Sequence, residues 1–265
     1  MNVIKKGKIE TFVDKVPHWI LLINSICLFL IIWKCISMTE RGGFVFASPE
    51  AIFKELVKEA SKPLFWKHVG ISLFRVISGF LLAFVCAIPV ALLMGWYKSI
   101  RSIFEPWVQF IRCIPPIAYL PLVIVACGVG ESSKVTVIFI GSFLVMLVTI
   151  YQGVLNVDET LIKAGKVLGA SDREIFFTIV IPASLPFIMT ALRLGLATAL
   201  TSLVAAEMTG ASEGLGVLIQ TASQYFQMTV VLMGILIIGA IGMVLEKLVK
   251  VLEKKVTGWQ EKIEL

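Results

Sequence analysis

The chain has 265 residues, 58% of them apolar and only 16% charged, with a mean hydropathy of +0.92. A water-soluble domain of this size carries about 25% charged residues, so too little polar surface is available to clothe one globule in water, and the composition fits a bilayer. The net charge of +6 comes from 24 Lys and Arg against 18 Asp and Glu. No basic helix interleaved with aromatics accompanies it, which argues against nucleic acid and for basic flanks that orient membrane spans.

Lys5, Lys6 and Lys8 precede an apolar run that is too long for a signal-peptide core and lacks a small-residue cleavage pattern, so it reads as an uncleaved first span. A helical span needs roughly 20 apolar residues. On that measure six spans are predicted, over 17–37, 69–97, 104–128, 133–155, 187–208 and 228–250. The expected fold is a single all-α polytopic domain over 1–265. After the first span, Ser48, Pro49 and Glu50 open an amphipathic surface helix whose apolar face is Ile52, Phe53, Leu56 and Val57. Pro115, Pro116 and Pro121 crowd the third span and are expected to free the carbonyls of Ile111, Arg112 and Ile117. Gly210, Gly214 and Gly216 mark turns, and Gly234, Gly239 and Gly242 point to close packing of the last span. Cysteines 27, 35, 86, 113 and 127 lie in or beside apolar runs without a CxxC pair, and are expected to be small buried hydrophobes.

With both termini cytoplasmic, the inside segments hold fourteen Lys and Arg and the outside segments six, five of those in the loop 38–68. That asymmetry predicts termini inside.

The inside loop 156–186 has a structure of its own. Asn156 or Asp158 can cap a helix whose apolar positions are Leu161, Ala164, Gly165 and Leu168. Gly169 supplies a left-handed stop, and Ala170 leads into a capping box of Ser171 and Glu174. That box opens a second short helix over 172–181, which Pro182 is expected to end. Helix, glycine turn and helix make a hairpin suited to docking a partner or to simple interfacial packing.

Lys163-Ala164-Gly165-x3-Gly169-x9-Ile179-x-Ile181-Pro182 resembles the EAA motif of ABC importer permeases, EAA-x3-G-x9-I-x-L-P. The spacing is kept, while Lys163 replaces Glu, Gly165 replaces Ala and Ile181 replaces Leu. Phe46-Ala-Ser-Pro-Glu50, Ile111-Arg-Cys-Ile-Pro-Pro-Ile-Ala-Tyr-Leu-Pro-Leu122, Gly128-Val-Gly-Glu-Ser-Ser-Lys134 and Leu203-Val-Ala-Ala-Glu-Met208 are similar to the branch serving taurine, aliphatic sulfonates and nitrate. The likeness runs from about residue 44 to Trp259. It implies a multi-pass permease of a prokaryotic plasma membrane, paired with a second copy of itself, a dimer of ABC ATPase subunits and one extracytoplasmic solute-binding protein. Residues Lys163, Ala164, Gly165, Leu168, Gly169, Ala170, Ser171, Ile179 and Pro182 then couple the chain to the ATPase. ATP and magnesium belong to that partner, and no cofactor or catalytic group is expected in this chain. The implied cargo is a small anion, taurine or another sulfonate first, with nitrate or a vitamin precursor as alternatives.

Gly128 to Lys134 lacks the Gly-Lys-Ser/Thr ending of a phosphate loop, and His18 and His68 have no metal-ligand spacing. Charges inside spans are functional candidates by default. Arg75, Arg112 and Glu207, with Pro115 and Pro116, are therefore candidate pathway residues, although snorkelling or internal pairing explains each charge equally well. Two readings of other classes stand beside the importer. One is a carrier driven by an ion gradient, which midplane carboxylates and inverted repeats would favour. The other is a membrane scaffold that recruits an ATPase without moving solute.

Overall fold

The computed structural model describes residues 17–258, and all its regular structure there is helical. Lys5, Lys6, Lys8 and Trp259, and with them the placement of the two termini, lie outside the described residues.

Helix α1 (His18–Ser37) is a peripheral span with no fully buried residue in its most apolar stretch, where Trp33 packs partly buried against the cluster of Ile52, Phe65 and Met233. Near its end the Lys34 ammonium meets the Glu50 carboxylate at 2.7 Å and so ties the span to the surface helix. The short α2 (Glu40–Val45) leads to the expected amphipathic helix α3 (Pro49–Ala60), where the Ser48 hydroxyl accepts from the Ala51 N–H. Only half of the expected apolar face is used. Ile52 and Leu56 pack with Phe65 and Met233, while Phe53 and Val57 are exposed.

The centre is a three-helix sandwich, with α7 (Glu131–Leu155) packed between α4 (Pro63–Trp96) and α9 (Asp172–Gly210). Lipid gives helices little hydrophobic reason to associate, so small residues bring the backbones together. Ala83, Ala87 and Ala91 are fully buried along α4. A Cβ added to Gly95 would stand 2.5 Å from Val154, and one on Gly195 would stand 2.2 Å from Met146.

The third span differs from expectation. Residues 104–128 do not form one rod: α5 (Lys98–Arg112) and α6 (Pro116–Cys127) meet at 103°. Two consecutive prolines lack donors, and each biases the residue before it away from helix. The Ile111 carbonyl, expected to be freed, instead accepts from the Ile114 N–H at 3.0 Å. At twelve residues, α6 is about 18 Å long, well short of a bilayer core of about 30 Å. It runs beside half of α7, with Pro116 against Gly141 at one end and Ser132 bonded to the Cys127 carbonyl at the other.

The fifth span also differs. Pro182 does not end a short helix over 172–181; the helix runs unbroken for 39 residues, Asp172–Gly210. Phe176–Val180 is a π-helical segment. Its wider turn displaces the carbonyl that a proline ring would strike one α-turn back, so Pro182 is absorbed. The rod is about 58 Å long and projects beyond any bilayer core. At the far end α10 (Leu215–Gln224) turns back onto α11 (Met228–Val256), with Ile219 against Gly234. Gly242 meets Leu200, whereas a Cβ on Gly239 would meet nothing within 4 Å, so two of the three expected packing glycines act as such. The five cysteines are exposed on this chain rather than buried. Apolar runs in a membrane protein face lipid as readily as core.

Candidate functional site

Each end of α9 carries a polar construction. At its first end lies the hairpin. Asp158, not Asn156, caps α8 (Glu159–Val167), accepting the Thr160 N–H at 2.8 Å. The α8 stop is a Schellman turn. The Ala170 N–H reaches the Gly165 carbonyl and the Gly169 N–H reaches that of Lys166, each at 3.0 Å, with Gly169 at φ +80°. Ser171 and Glu174 form the expected reciprocal capping box. The Ser171 hydroxyl and N–H hold the Glu174 carboxyl below the ordinary glutamate range. The Thr160 bonds do the same for Asp158.

The hairpin divides its apolar positions between two sides. Gly165 looks inward, where a Cβ would stand 3.0 Å from Ile179 and 3.3 Å from Ile175, so its smallness serves the hairpin's own packing. Leu161, Ala164 and Leu168, the other predicted apolar positions of α8, point outward. Val167 and Leu168 are 87% and 86% exposed at the tip. Periodicity marks an apolar stripe without saying what covers it, and this nine-residue helix has no core of its own chain on that side. Val167 was not among the expected residues. Lys163 is also exposed and pairs with Glu159 one turn back at 2.7 Å. The other side of the hairpin is seated on Leu92, Val154 and Trp96 through Ile175, Phe176 and Val180.

At the opposite end lies a buried clasp. The Arg75 side chain, 1% exposed, donates through Nε and Nη2 to both oxygens of Glu131 at 2.5 and 2.6 Å. Its Nη1 donates to Glu207 Oε1 at 2.7 Å and to the Glu213 carbonyl at 2.6 Å. Glu207, fully buried, also accepts from the Ser72 hydroxyl and from the Gly216 N–H, each at 2.7 Å. Ser72 takes the Leu215 N–H and His68 Nδ1 takes the Gly214 N–H. Gly214 adopts φ +136°, and a Cβ there would stand 2.4 Å from the Glu207 carboxyl. One ion cluster thus ties α4, α7, α9 and the start of α10. A buried pair of this kind is costly to form and more costly to break.

Of the candidate pathway residues, Arg75 and Glu207 come together in the clasp, where neither is free to meet a solute. Arg112 lies apart, exposed at the α5–α6 bend, with no ion-pair partner among the described residues. Pro115 and Pro116 make that bend. Close by, Tyr151 donates to Glu105 at 3.0 Å and accepts from Gln109 at 3.2 Å. Ser72, Glu131, Gly214 and Gly216 complete the clasp without having been singled out for it, because most of its contacts join residues some 60 to 140 positions apart and leave no local periodicity. Among the described residues no cluster of His, Cys, Asp and Glu could hold a metal ion.

Residues 79–258 match the family model described as the binding-protein-dependent transport system inner membrane component. A probable ABC transporter permease of Brucella abortus is 43% identical over 85% of this chain and 90% of its own. The taurine transport system permease TauC of Escherichia coli is 32% identical over 92% and 91%. The bicarbonate transport system permease CmpB of Synechococcus elongatus is 29% identical over 91% and 90%. In fold the chain is similar to the MetNI methionine ABC transporter in an inward-facing form, with TM-score 0.64 and 20% identity over 73% of this chain and 96% of that one. The chain belongs to the binding-protein-dependent ABC importer permeases, which are multi-pass inner-membrane transport subunits and not enzymes.

Proposed function

We propose that this permease works as a homodimer bound to two ATPase subunits through the α8–α9 hairpin, and that it imports a small anion delivered by a solute-binding protein. The observation that carries the reading is the outward apolar stripe of α8, ending in Val167 and Leu168. An apolar tip held clear of the bundle by a capped, glycine-stopped hairpin has a use only if another surface covers it. The hairpin end is then cytoplasmic, the clasp end faces outward, and both termini are inside. ATP and magnesium act in the partner, because this chain offers no phosphate loop.

Transport needs two global states and differential contacts in each. The rod α9 is one continuous helix from the capping box to Glu207, so a push on the hairpin moves the clasp end without an intervening joint except the π segment. Taurine or another aliphatic sulfonate is the first cargo, from the likeness to TauC. The likeness to a bicarbonate permease keeps other small anions in the assay. The test is ATP-dependent uptake by the reconstituted permease, ATPase and binding protein, offered taurine, an alkanesulfonate, nitrate and bicarbonate in turn. Saturable uptake of one of the first two supports the assignment, and uptake of only the others replaces the cargo. Failure to respond to any binding protein removes the importer reading.

A further inference from the structure

Phe226 is the only residue other than glycine with positive φ among the described residues, at +56°. It occupies the stop of α10 in a Schellman turn: the Gln227 N–H reaches the Ala222 carbonyl at 2.8 Å, and the Phe226 N–H reaches that of Ser223 at 3.1 Å. Glycine or asparagine takes this position at little cost, and a bulky side chain is strained there. Burial does not repay the strain. The Phe226 ring is 69% exposed and Tyr225 beside it 71%. The ring's one aromatic neighbour is Phe44, itself exposed, with centroids 6.5 Å apart. A strained conformation kept without a packing return points to a function outside the chain.

The surroundings indicate what kind of surface meets it. The α10–α11 turn borders a cleft of about 500 Å³ against α3, lined by Glu55, Lys58, Glu59, Lys62, Leu218 and Gln227 among others. The four charges form two ion pairs, Lys58–Glu55 at 2.8 Å and Lys62–Glu59 at 2.6 Å. A rim of this polarity faces water, not acyl chains. An exposed aromatic pair beside a charged, open cleft has the make-up of a protein interface, aromatic anchors within a polar rim. It also stands at the clasp end, away from the hairpin tip.

We infer that Tyr225 and Phe226, with the α3–α10 cleft beside them, are a docking surface for the soluble solute-binding protein. The inference rests on the importer reading above. The strained turn holds the Phe226 ring outward, where an apolar patch of the binding protein covers it, and the paired lysines and glutamates of α3 meet charges at the rim of that patch.

The test uses the permease–ATPase complex in lipid nanodiscs, titrated with the solute-binding protein of the same transport system. Phe226→Gly and Phe226→Asn both relieve the backbone, and both remove the ring. Each is expected to raise the melting temperature of the complex. Each is also expected to raise about tenfold the binding-protein concentration that half-maximally stimulates ATP hydrolysis, with full stimulation regained at excess. A half-maximal concentration unchanged in both variants overturns the inference, whatever the melt does. If the melt also falls, Phe226 is instead an anchor in the lipid headgroup layer. Should the wild-type complex itself ignore the binding protein, the importer reading fails along with this one, an outcome distinct from a silent variant in a responsive complex.

Discussion

Gly169→Val tests the hairpin at its most sensitive point. Gly169 sits at φ +80°, and a Cβ built there would meet no atom within 4 Å. The cost of the substitution is therefore backbone strain alone. For an L-residue in the left-handed region that cost is about 1–2 kcal/mol, and a β-branched residue stands at the upper end or beyond. At about 1.4 kcal/mol per factor of ten, the Schellman turn loses roughly 5- to 30-fold in population against other loop geometries. Nothing in the α4–α7–α9 sandwich is touched. The variant should therefore express and melt like the wild type, while ATP-coupled uptake in proteoliposomes falls about tenfold. Gly169→Asn is the control, since asparagine tolerates this conformation, and it should keep most of the transport. Wild-type uptake by the valine variant at equal expression would refute the reasoning. So would an asparagine variant as impaired as the valine one.

Glu207→Ala should lower stability by about 3–5 kcal/mol, read as thermal unfolding in detergent, because it strands Arg75, Ser72 and the Gly216 N–H in a buried site. Glu207→Gln, which keeps an accepting oxygen, should cost less. Gly195→Val, whose first added carbon alone would stand 2.2 Å from Met146, should cost about 1–3 kcal/mol by overpacking, again seen in the melt. The hairpin should also fray in acid. The folded carboxyls of Glu174 and Asp158 are held below their ordinary range. Their support is therefore complete above the unfolded values near 4 and is lost as pH falls through the lower folded values. Hydrogen exchange over 158–175 should be unchanged between pH 7 and 5, after correction for the intrinsic rate, and faster below about 4.

What the sequence revealed depended on the range of the forces involved. The spans, the Ser48 cap, the Gly169 stop and the Ser171–Glu174 box are set by neighbours within a turn or two, and each was legible. The fate of the prolines was not. Pro115 and Pro116 broke a span that composition made continuous, while Pro182 was absorbed by a π segment whose formation depends on the packing of Phe176 and Val180 against Trp96 and Leu92. Periodicity found the apolar stripe of α8 but left open what covers it, because an apolar stripe looks the same whether it meets its own chain or another. The charges at 75 and 207 were visible as misfits in spans. Their enclosure depended on Ser72, Glu131 and the 213–216 backbone, which only the tertiary fold brings near.

The central claim is that the α8 tip receives an ATPase subunit, and affinity purification in mild detergent tests it most directly. The wild-type permease should bring down a P-loop ATPase at equal stoichiometry, and Leu168→Asp, which places a charge on the exposed tip without touching the bundle, should lose it while remaining folded. A wild-type chain that purifies alone, or a Leu168→Asp variant that keeps its ATPase in full, would contradict the account.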